Sequence, residues 1–428
     1  MPLIAILQRR LIDLPDGPIA MAFSGGMDSS TLLHALAHLP AVRARGLRAI
    51  HVDHSLHADS QRWSAHCANF ARELGVPASS LQANVDRASG TGLEDAARQA
   101  RFAAFEQTLQ HGEILALAQH RDDQAETILL KLLRGAGPEG LGGMRTLRQF
   151  AQGYLWRPLL DISRGVLHEY ATAHGLHWID DPSNADTRLR RNFLRSEILP
   201  SLTERWPDAT AALAHSADWA RAAADFIGAQ AREALARLRG PSATTLRWRD
   251  WLALADALRD PVLRLWLREL GFDEPAHFHV IELQRQLRAE PDRAPCVAFS
   301  QTELRRYRDL LHAMRPLPDF PPDWQTDWDG APLDLPGGGR LLLRPDVPLA
   351  GRLRVRYRRG GEQLKPAGGA HTRELRTLLQ EAGIPPWQRE RTPLIYDGAE
   401  LLAVGDLFLS EAGTQWCAAR GTRFVRVH

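Results

Sequence analysis

Along the first part of the chain, short apolar runs alternate with stretches whose apolar residues recur at helical spacing. The runs lie at 19–23, 47–54, 79–85 and 113–120; the helical stretches follow at 27–39, 59–74, 92–110 and 122–135. Strand-length runs alternating with helices predict βαβ units, and so a parallel sheet with helices on both faces. In such sheets ligands bind beyond the carboxyl ends of the strands, so the polar residues that follow each run carry the functional signal. A further strand is expected within 151–160, and a helix from Arg164. Beyond it the pattern becomes alanine-rich and helical at 209–238, and stays helical through 251–270 and 278–290. A stretch rich in Pro, Trp and Asp at 316–339 reads as a linker, after which the pattern alternates like an antiparallel sheet around one helix at 371–383. The expected organisation is a doubly wound α/β domain over 1–208, an all-α domain over 209–315, the linker 316–339, and an α+β domain over 340–428.

Composition narrows the picture. At 428 residues the chain exceeds one ordinary core, and 44% hydrophobic with 24% charged residues is globular and soluble. A net charge of +2 means that any nucleic-acid role needs clustered basic residues. Lys131 and Lys365 are the only lysines, so phosphates would be met by arginine forks and backbone N–H groups. Cys67, Cys296 and Cys417 form no CxxC pair, which argues against a zinc site, an iron–sulfur cluster or a disulfide framework. The N-terminal apolar stretch is too short for a signal segment and no run reaches membrane-spanning length, so a cytoplasmic protein without membrane association is expected.

The first strand runs into Ser24, Gly25, Gly26, Met27, Asp28 and Ser29, and a helix begins at once. A glycine pair there lets backbone approach an anion, and the helix N-terminus adds unpaired N–H groups. Ser24 and Ser29 supply hydroxyls, and Asp28 can meet Mg2+ directly or through water. There is no lysine and no Walker spacing, so this is not a P-loop; a plain strand–turn–helix with a serine cap gives a similar string. The loop resembles that of the N-type ATP pyrophosphatases, which would make the anion a leaving pyrophosphate. Gly135, Gly137 and Gly140 make a formal GxGxxG, but they follow a helix rather than a strand and read as a mobile loop beside the site.

Beyond the fourth run, Asp122, Asp123 and Glu126 share a helix face. They can be a well-capped helix start, or a carboxylate pair that captures an amine or a metal. His120 is a proton acceptor or a strand-end histidine. Glu94, Arg98, Arg101 and Phe105 follow one helical stripe, either a salt-bridged solvated face or an arginine aimed at phosphate. Arg191 and Arg195 are four apart near a turn at 180–184, and Arg352, Arg354, Arg356 and Arg358 alternate on one strand. The last set is a charged edge strand or a track for RNA phosphates.

Taken together, the strings AFSGGMDSSTLLHAL, DDQAETILLKLLRGAGPEGLGGM, WIDDPSNADTRLRRNFLRSEILPSL and IPPWQRERTPLIY resemble the bacterial tRNA(Ile)-lysidine synthase family. The resemblance covers the first and last domains; the middle matches only in position and type. It implies an ATP-dependent ligase whose partners are free L-lysine and an isoleucine tRNA with a CAU anticodon, with no obligatory protein partner. ATP would adenylate O2 of the wobble cytosine, and the lysine ε-amine would then displace AMP from C2. Gly25, Gly26 and Ser29 would cradle pyrophosphate, Asp28 would hold Mg2+, and Asp123 and Glu126 would hold the lysine ammonium. Arg101 would offset charge on the adenylated intermediate, and Arg191 would sit near phosphate or the target nucleotide. Two positions depart from many relatives: Gln119 stands where they carry the first of two histidines, and Asp53 where some carry histidine.

Three other readings fit parts of the pattern. A 2-thiocytidine-type tRNA enzyme would need sulfur-relay cysteines. An amide-forming ligase would need an ammonia source. An RNA-binding module with a decayed nucleotide site would not need an intact loop and acidic pair.

Overall fold

A computed structural model describes residues 3–53, 59–83, 93–289, 295–349, 351–369 and 371–427. The expected strand ends at His54 and at 84–85, and the Glu94 side chain, lie outside what is described. The chain divides into two compact units, Met1–Ala229 and Gln230–His428.

In the first unit the strands are β1 (Ile19–Ala22), β2 (Leu47–Asp53), β3 (Ala78–Gln82), β4 (Ile114–Ala116), β5 (Leu147–Phe150) and β6 (Gly153–Trp156). They form one sheet in the order β3-β2-β1-β4-β6-β5, parallel except for β5, which runs antiparallel to β6. The sequence reading missed β5 because LRQF has no apolar run; the strand exists because its backbone completes the β6 edge. The helices are α1 (Leu3–Arg10), α2 (Met27–Ala37), α3 (Pro40–Arg45), α4 (Ser60–Glu73), α5 (Leu93–Thr108), α6 (Arg121–Leu132), α7 (Pro138–Leu141) and α8 (Arg164–Ala173). After a 3-10 turn at Pro182–Ala185 come α9 (Arg190–Phe193), a π-helical turn (Leu194–Ile198) and α10 (Leu199–Arg205). The long α11 (Ala209–Leu238) begins in this unit and ends in the second.

Strand alternation builds a core on each face of the sheet. Ile19 and Met21 pack with Leu32, Leu36, Trp156 and Leu167, whereas Ala20 packs with Ile50, Phe105, Leu115 and Leu155 on the other side. This is the doubly wound arrangement the alternation predicts. Inside the sheet, buried Glu113 receives both Arg48 Nε and Arg48 Nη2 at 2.6 Å.

The glycine-rich segment 135–144 contains the helical turn α7 and is tied down at its end. Met144 N donates to Gln124 Oε1 at 2.8 Å, Gln124 Nε2 donates to Met144 O at 3.0 Å, and Arg221 Nη2 of α11 donates to Gly142 O at 2.6 Å. Those anchors hold the end of the segment that reads as a mobile loop, where buried Gln124 uses its whole amide on the Met144 backbone.

Behind the first loop, α2 packs on α8 through His34, whose Nδ1 lies 3.0 Å from Tyr170 Oη. Burial, then the neighbouring His38 and His174, push the His34 imidazole down to about 4. The unfolded chain therefore binds this proton near pH 6.5 while the folded chain resists it, so stability is fully present above that pH and is lost as pH falls toward 4. Because His34 is only half-buried, the loss is about 1–2 kcal/mol after solvent screening. His34→Gln should flatten the wild-type stability decline over that range in urea titrations at stepped pH; an unchanged decline would refute the assignment.

In the second unit, β7 (Thr245–Arg247), β8 (Cys296–Phe299), β9 (Thr302–Tyr307) and β10 (Leu310–Met314) make an antiparallel sheet in the order β7-β10-β9-β8. Helices α12 (Trp248–Leu252), α13 (Asp256–Glu269) and α14 (His277–Arg288) share its core, in which Trp251, Trp266, Leu304 and Leu311 are buried. The middle segment is thus helical in large part but not all-α: its strands are three to six residues long, and two of them sit in arginine-rich sequence without a clear apolar run.

The remainder carries β11 (Gln325–Trp328), β12 (Leu333–Asp334), β13 (Arg340–Arg344), β14 (Leu353–Arg356), β15 (Gln363–Leu364) and β16 (Arg373–Glu374). Then follow α15 (Leu375–Glu381), α16 (Pro386–Arg389), β17 (Leu394–Asp397), β18 (Glu400–Val404), β19 (Phe408–Leu409), α17 (Glu411–Arg420) and β20 (Arg423–Val427). The expected linker is not one throughout, because β11 pairs with β14 and Trp328 is buried in this core. Nor is β14 an edge strand: it lies between β11 and β17, and Arg356 Nη1 meets Glu362 Oε1 at 2.9 Å. Among the described residues no helix is long and apolar enough to cross a membrane.

Candidate functional site

Four residues, Phe23 to Gly26, connect β1 to α2, and within them Gly25 takes φ +81°. A Cβ at Gly25 would lie 2.6 Å from Ile179 Cδ1 and 2.9 Å from Cys67 Sγ, so only glycine fits without rearrangement. Ser24 Oγ and Ser29 Oγ are 3.0 Å apart, Ser29 Oγ donates to Gly26 O at 3.0 Å, and Ser30 Oγ donates to Gly25 O at 3.3 Å. The first N–H groups of α2, from Met27 onward, open into the same turn, with Gly26 at the cap and no side chain closing it. A turn of this shape can cradle an anion.

Across the cradle, at the carboxyl end of β4, His120 caps α6 and is 1% exposed. Asp122 N donates to His120 Nδ1 at 3.2 Å, while His120 N donates to Asp123 Oδ2 at 3.0 Å. The other ring nitrogen, Nε2, stands 3.6 Å from Asp28 Oδ2 and 3.4 Å from Asp123 Oδ2. His120 therefore links the loop carboxylate to the acidic pair. Burial lowers its pKa, but Asp28, Asp123 and Asp122 outweigh that and hold it above the usual histidine range. Burial would likewise raise Asp28, yet His120, Arg164 and Arg195 bring it below the ordinary carboxylate range.

The acidic pair is occupied by a guanidinium. Arg195, from the π-helical turn, donates through Nε to Glu126 Oε1 at 2.7 Å and through Nη2 to Asp123 Oδ1 at 2.7 Å. Glu126 is fully buried, and its Oε2 has no hydrogen-bond partner. Desolvation raises the Glu126 pKa, with Asp123 adding to the rise and Arg195 opposing it. Arg191 reaches the same helix, its Nη2 donating to Thr127 Oγ1 at 3.0 Å. Arg101 is exposed on α5, and its pKa falls through desolvation, then through repulsion from Arg98 and Arg191. Phe105, on the stripe predicted with Arg101, is instead buried in the sheet core.

The structure thus joins Ser24, Gly25, Gly26, Met27, Asp28 and Ser29 into one loop, and brings Asp28, Asp123 and Glu126 to one edge. Sequence reasoning left His120 open and gave Arg195 no role. The signal for both lay in spacing: His120 sits three before Asp123, and Arg195 lies four after Arg191 on the helical stretch that faces α6.

A metal is tested by the donors present. Among the described residues no group of three or more His, Cys, Asp or Glu side chains could hold one. Asp28 Oδ1, however, is buried without a hydrogen-bond partner. A carboxylate oxygen with no hydrogen bond, and with Arg164 Nε 3.9 Å away, fits a Mg2+ ion that takes most of its ligands from phosphates and water.

Loop, sheet and acidic edge define a PP-loop protein, and the model of the PP-loop domain matches residues 4–202. Two more models match in the second unit: the TilS substrate binding domain over 246–312 and the TilS substrate C-terminal domain over 353–426. Among curated relatives, a tRNA(Ile)-lysidine synthase of Xanthomonas axonopodis pv. citri is 47% identical, covering 95% of this chain and 93% of its own. That of Xylella fastidiosa is also 47% identical, over 95% and 94%, and that of Xanthomonas campestris pv. campestris is 44% identical, over 96% and 95%. The chain belongs to the tRNA(Ile)-lysidine synthase family.

Proposed function

We propose that this protein joins free L-lysine to C2 of the wobble cytidine of an isoleucine tRNA with a CAU anticodon, at the expense of ATP. The observation that carries the reading is the convergence of the anion cradle, Asp28, and the Asp123–Glu126 pair at the carboxyl ends of adjacent parallel strands. In the first step cytosine O2 attacks the α-phosphorus of ATP and pyrophosphate leaves. Backbone N–H groups from Gly25 to Ser29, with the Ser24 and Ser29 hydroxyls, hold the departing pyrophosphate. Mg2+ at Asp28 would supply charge neutralisation for the phosphates.

In the second step the lysine ε-amine attacks C2, the C2–O2 bond breaks, and AMP leaves. The amine must arrive as an ammonium to be recognised and lose a proton to react. Asp123 and Glu126 do both: their charge attracts the ammonium in exchange for Arg195, and buried Glu126, with its raised pKa, accepts a proton more readily than an ordinary carboxylate. Arg101 and Arg191 offset negative charge on the adenylated intermediate. The target base must be unstacked to reach the site.

The thiolation reading is disfavoured because Cys67 is buried and its thiol is pushed up to about 12, which makes it a poor nucleophile. With α-labelled ATP, Mg2+ and no lysine, the protein should release pyrophosphate only when the isoleucine transcript is present, and the label should remain on the RNA. Pyrophosphate release independent of RNA would contradict the proposal.

A further inference from the structure

The acidic pair has a cationic neighbour farther along the sheet, on the side away from the cradle. Arg157 follows β6 directly, at the carboxyl end of that parallel strand, and is 4% exposed. Its partners are neutral: Nε donates to Gln119 Oε1 and Nη1 donates to Arg145 O at 3.0 Å. Among the described residues no carboxylate lies within ion-pair distance of it. A buried cation without a counter-ion is costly, and a fold that keeps one at the ligand-binding edge of a parallel sheet keeps it for an anion from outside. The same cost shows in its acidity: desolvation, then repulsion from Arg148 and Arg98, lowers the guanidinium pKa to about 9.

Around Arg157 lies a surface of one chemical kind. Arg148, exposed on β5, sits over the Phe150 ring at 5.3 Å, and Arg98 of α5 sits over the Phe102 ring at 5.7 Å. The two rings meet edge to face with centroids 5.7 Å apart. Among the described residues Arg148 donates only to the neighbouring carbonyl of Gln149, at 3.1 Å. Arginines layered on aromatic rings fit a phosphodiester flanked by bases better than a small anion.

We propose that Arg157 and Arg148, with the Phe102–Phe150 pair between α5 and the β5–β6 hairpin, form a subsite for a backbone phosphate of the RNA substrate. Gln119, at the position where many relatives carry histidine, acts here as a positioning residue that fixes the Arg157 fork. A phosphate of ATP shares the chemistry, but the cradle for pyrophosphate follows β1, and β4 with its acidic pair separates that strand from β6. The subsite rests on the reading of RNA as substrate.

The test uses the full-length protein and measures affinity for the unmodified isoleucine transcript at several salt concentrations, with ATP affinity in parallel. Arg148→Ala and Arg157→Gln should each weaken RNA binding about three- to tenfold and reduce the slope of log K against log salt by about 1, with ATP affinity unchanged. If wild-type protein binds the transcript and both variants keep its slope, the subsite is wrong while the substrate reading stands. A loss of ATP affinity with RNA binding intact would also overturn it, assigning the phosphate to the nucleotide. If the wild type does not bind the transcript, the substrate reading falls and the subsite with it. Arg148 is exposed, so its variant decides the matter even where Arg157→Gln fails to fold.

Discussion

Asp123→Asn should cut lysine use on the order of a thousandfold while leaving ATP affinity within about threefold. Neutralising one member of a buried, hydrogen-bonded charge group costs about 2–5 kcal/mol, and about 4 kcal/mol corresponds to that factor. The amide keeps an oxygen for His120 N, which Asp123 Oδ2 accepts at 3.0 Å, so the α6 cap survives. What is lost is the negative charge that Arg195 reads at 2.7 Å and that the incoming ammonium would read in turn. Steady-state kinetics against lysine, with ATP affinity measured by equilibrium binding, separate the two effects. Lost ATP affinity with lysine kinetics unchanged would mean that the carboxylate serves the nucleotide.

Gly25→Val should do the opposite and remove ATP binding. Gly25 takes φ +81°, and a Cβ there would press on Ile179 Cδ1 at 2.6 Å and Cys67 Sγ at 2.9 Å. Holding a branched residue in that conformation costs about 1–3 kcal/mol, and relief of the clash displaces the N–H groups that face the anion. ATP affinity is expected to fall on the order of a hundredfold, ~2.7 kcal/mol, with the rest of the fold intact by circular dichroism. A variant that binds ATP normally would show that the cradle is not the phosphate site.

The catalytic half of this protein was largely legible in its sequence because its signals are local. Alternating runs predict the parallel sheet, and the Ser-Gly-Gly turn needs only a strand before it and a helix after it to become a cradle. Asp123 and Glu126 share a helix face whatever the tertiary structure. Arg195 was not legible as their partner, since nothing in a sequence says which helix packs over α6. The hydrogen bond from Arg157 to Gln119 was equally hidden, because it depends on β6 lying beside β4.

Outside that half, signals failed where strands were short or charged. β5, β7 and β9 have few consecutive apolar residues, and tertiary pairing overrides the weak local preference. The stretch at 316–339 looked like a linker because proline and aspartate dominate it, yet Trp328 anchors it in a core. The alternating arginines at 352–358 read as a charged edge strand or a track for RNA phosphates, and the pairing of β14 with both β11 and β17 rules out the edge.

The most direct test of the account is the mass of the wobble nucleoside. An unmodified isoleucine transcript with a CAU anticodon would be incubated with the protein, ATP, Mg2+ and isotopically labelled lysine, then digested to nucleosides. The account predicts a labelled cytidine–lysine conjugate at the wobble position, formed in step with AMP, and none from a methionine tRNA carrying the same anticodon. Adenylated or unchanged cytidine with no lysine attached, in the presence of active protein, would contradict it.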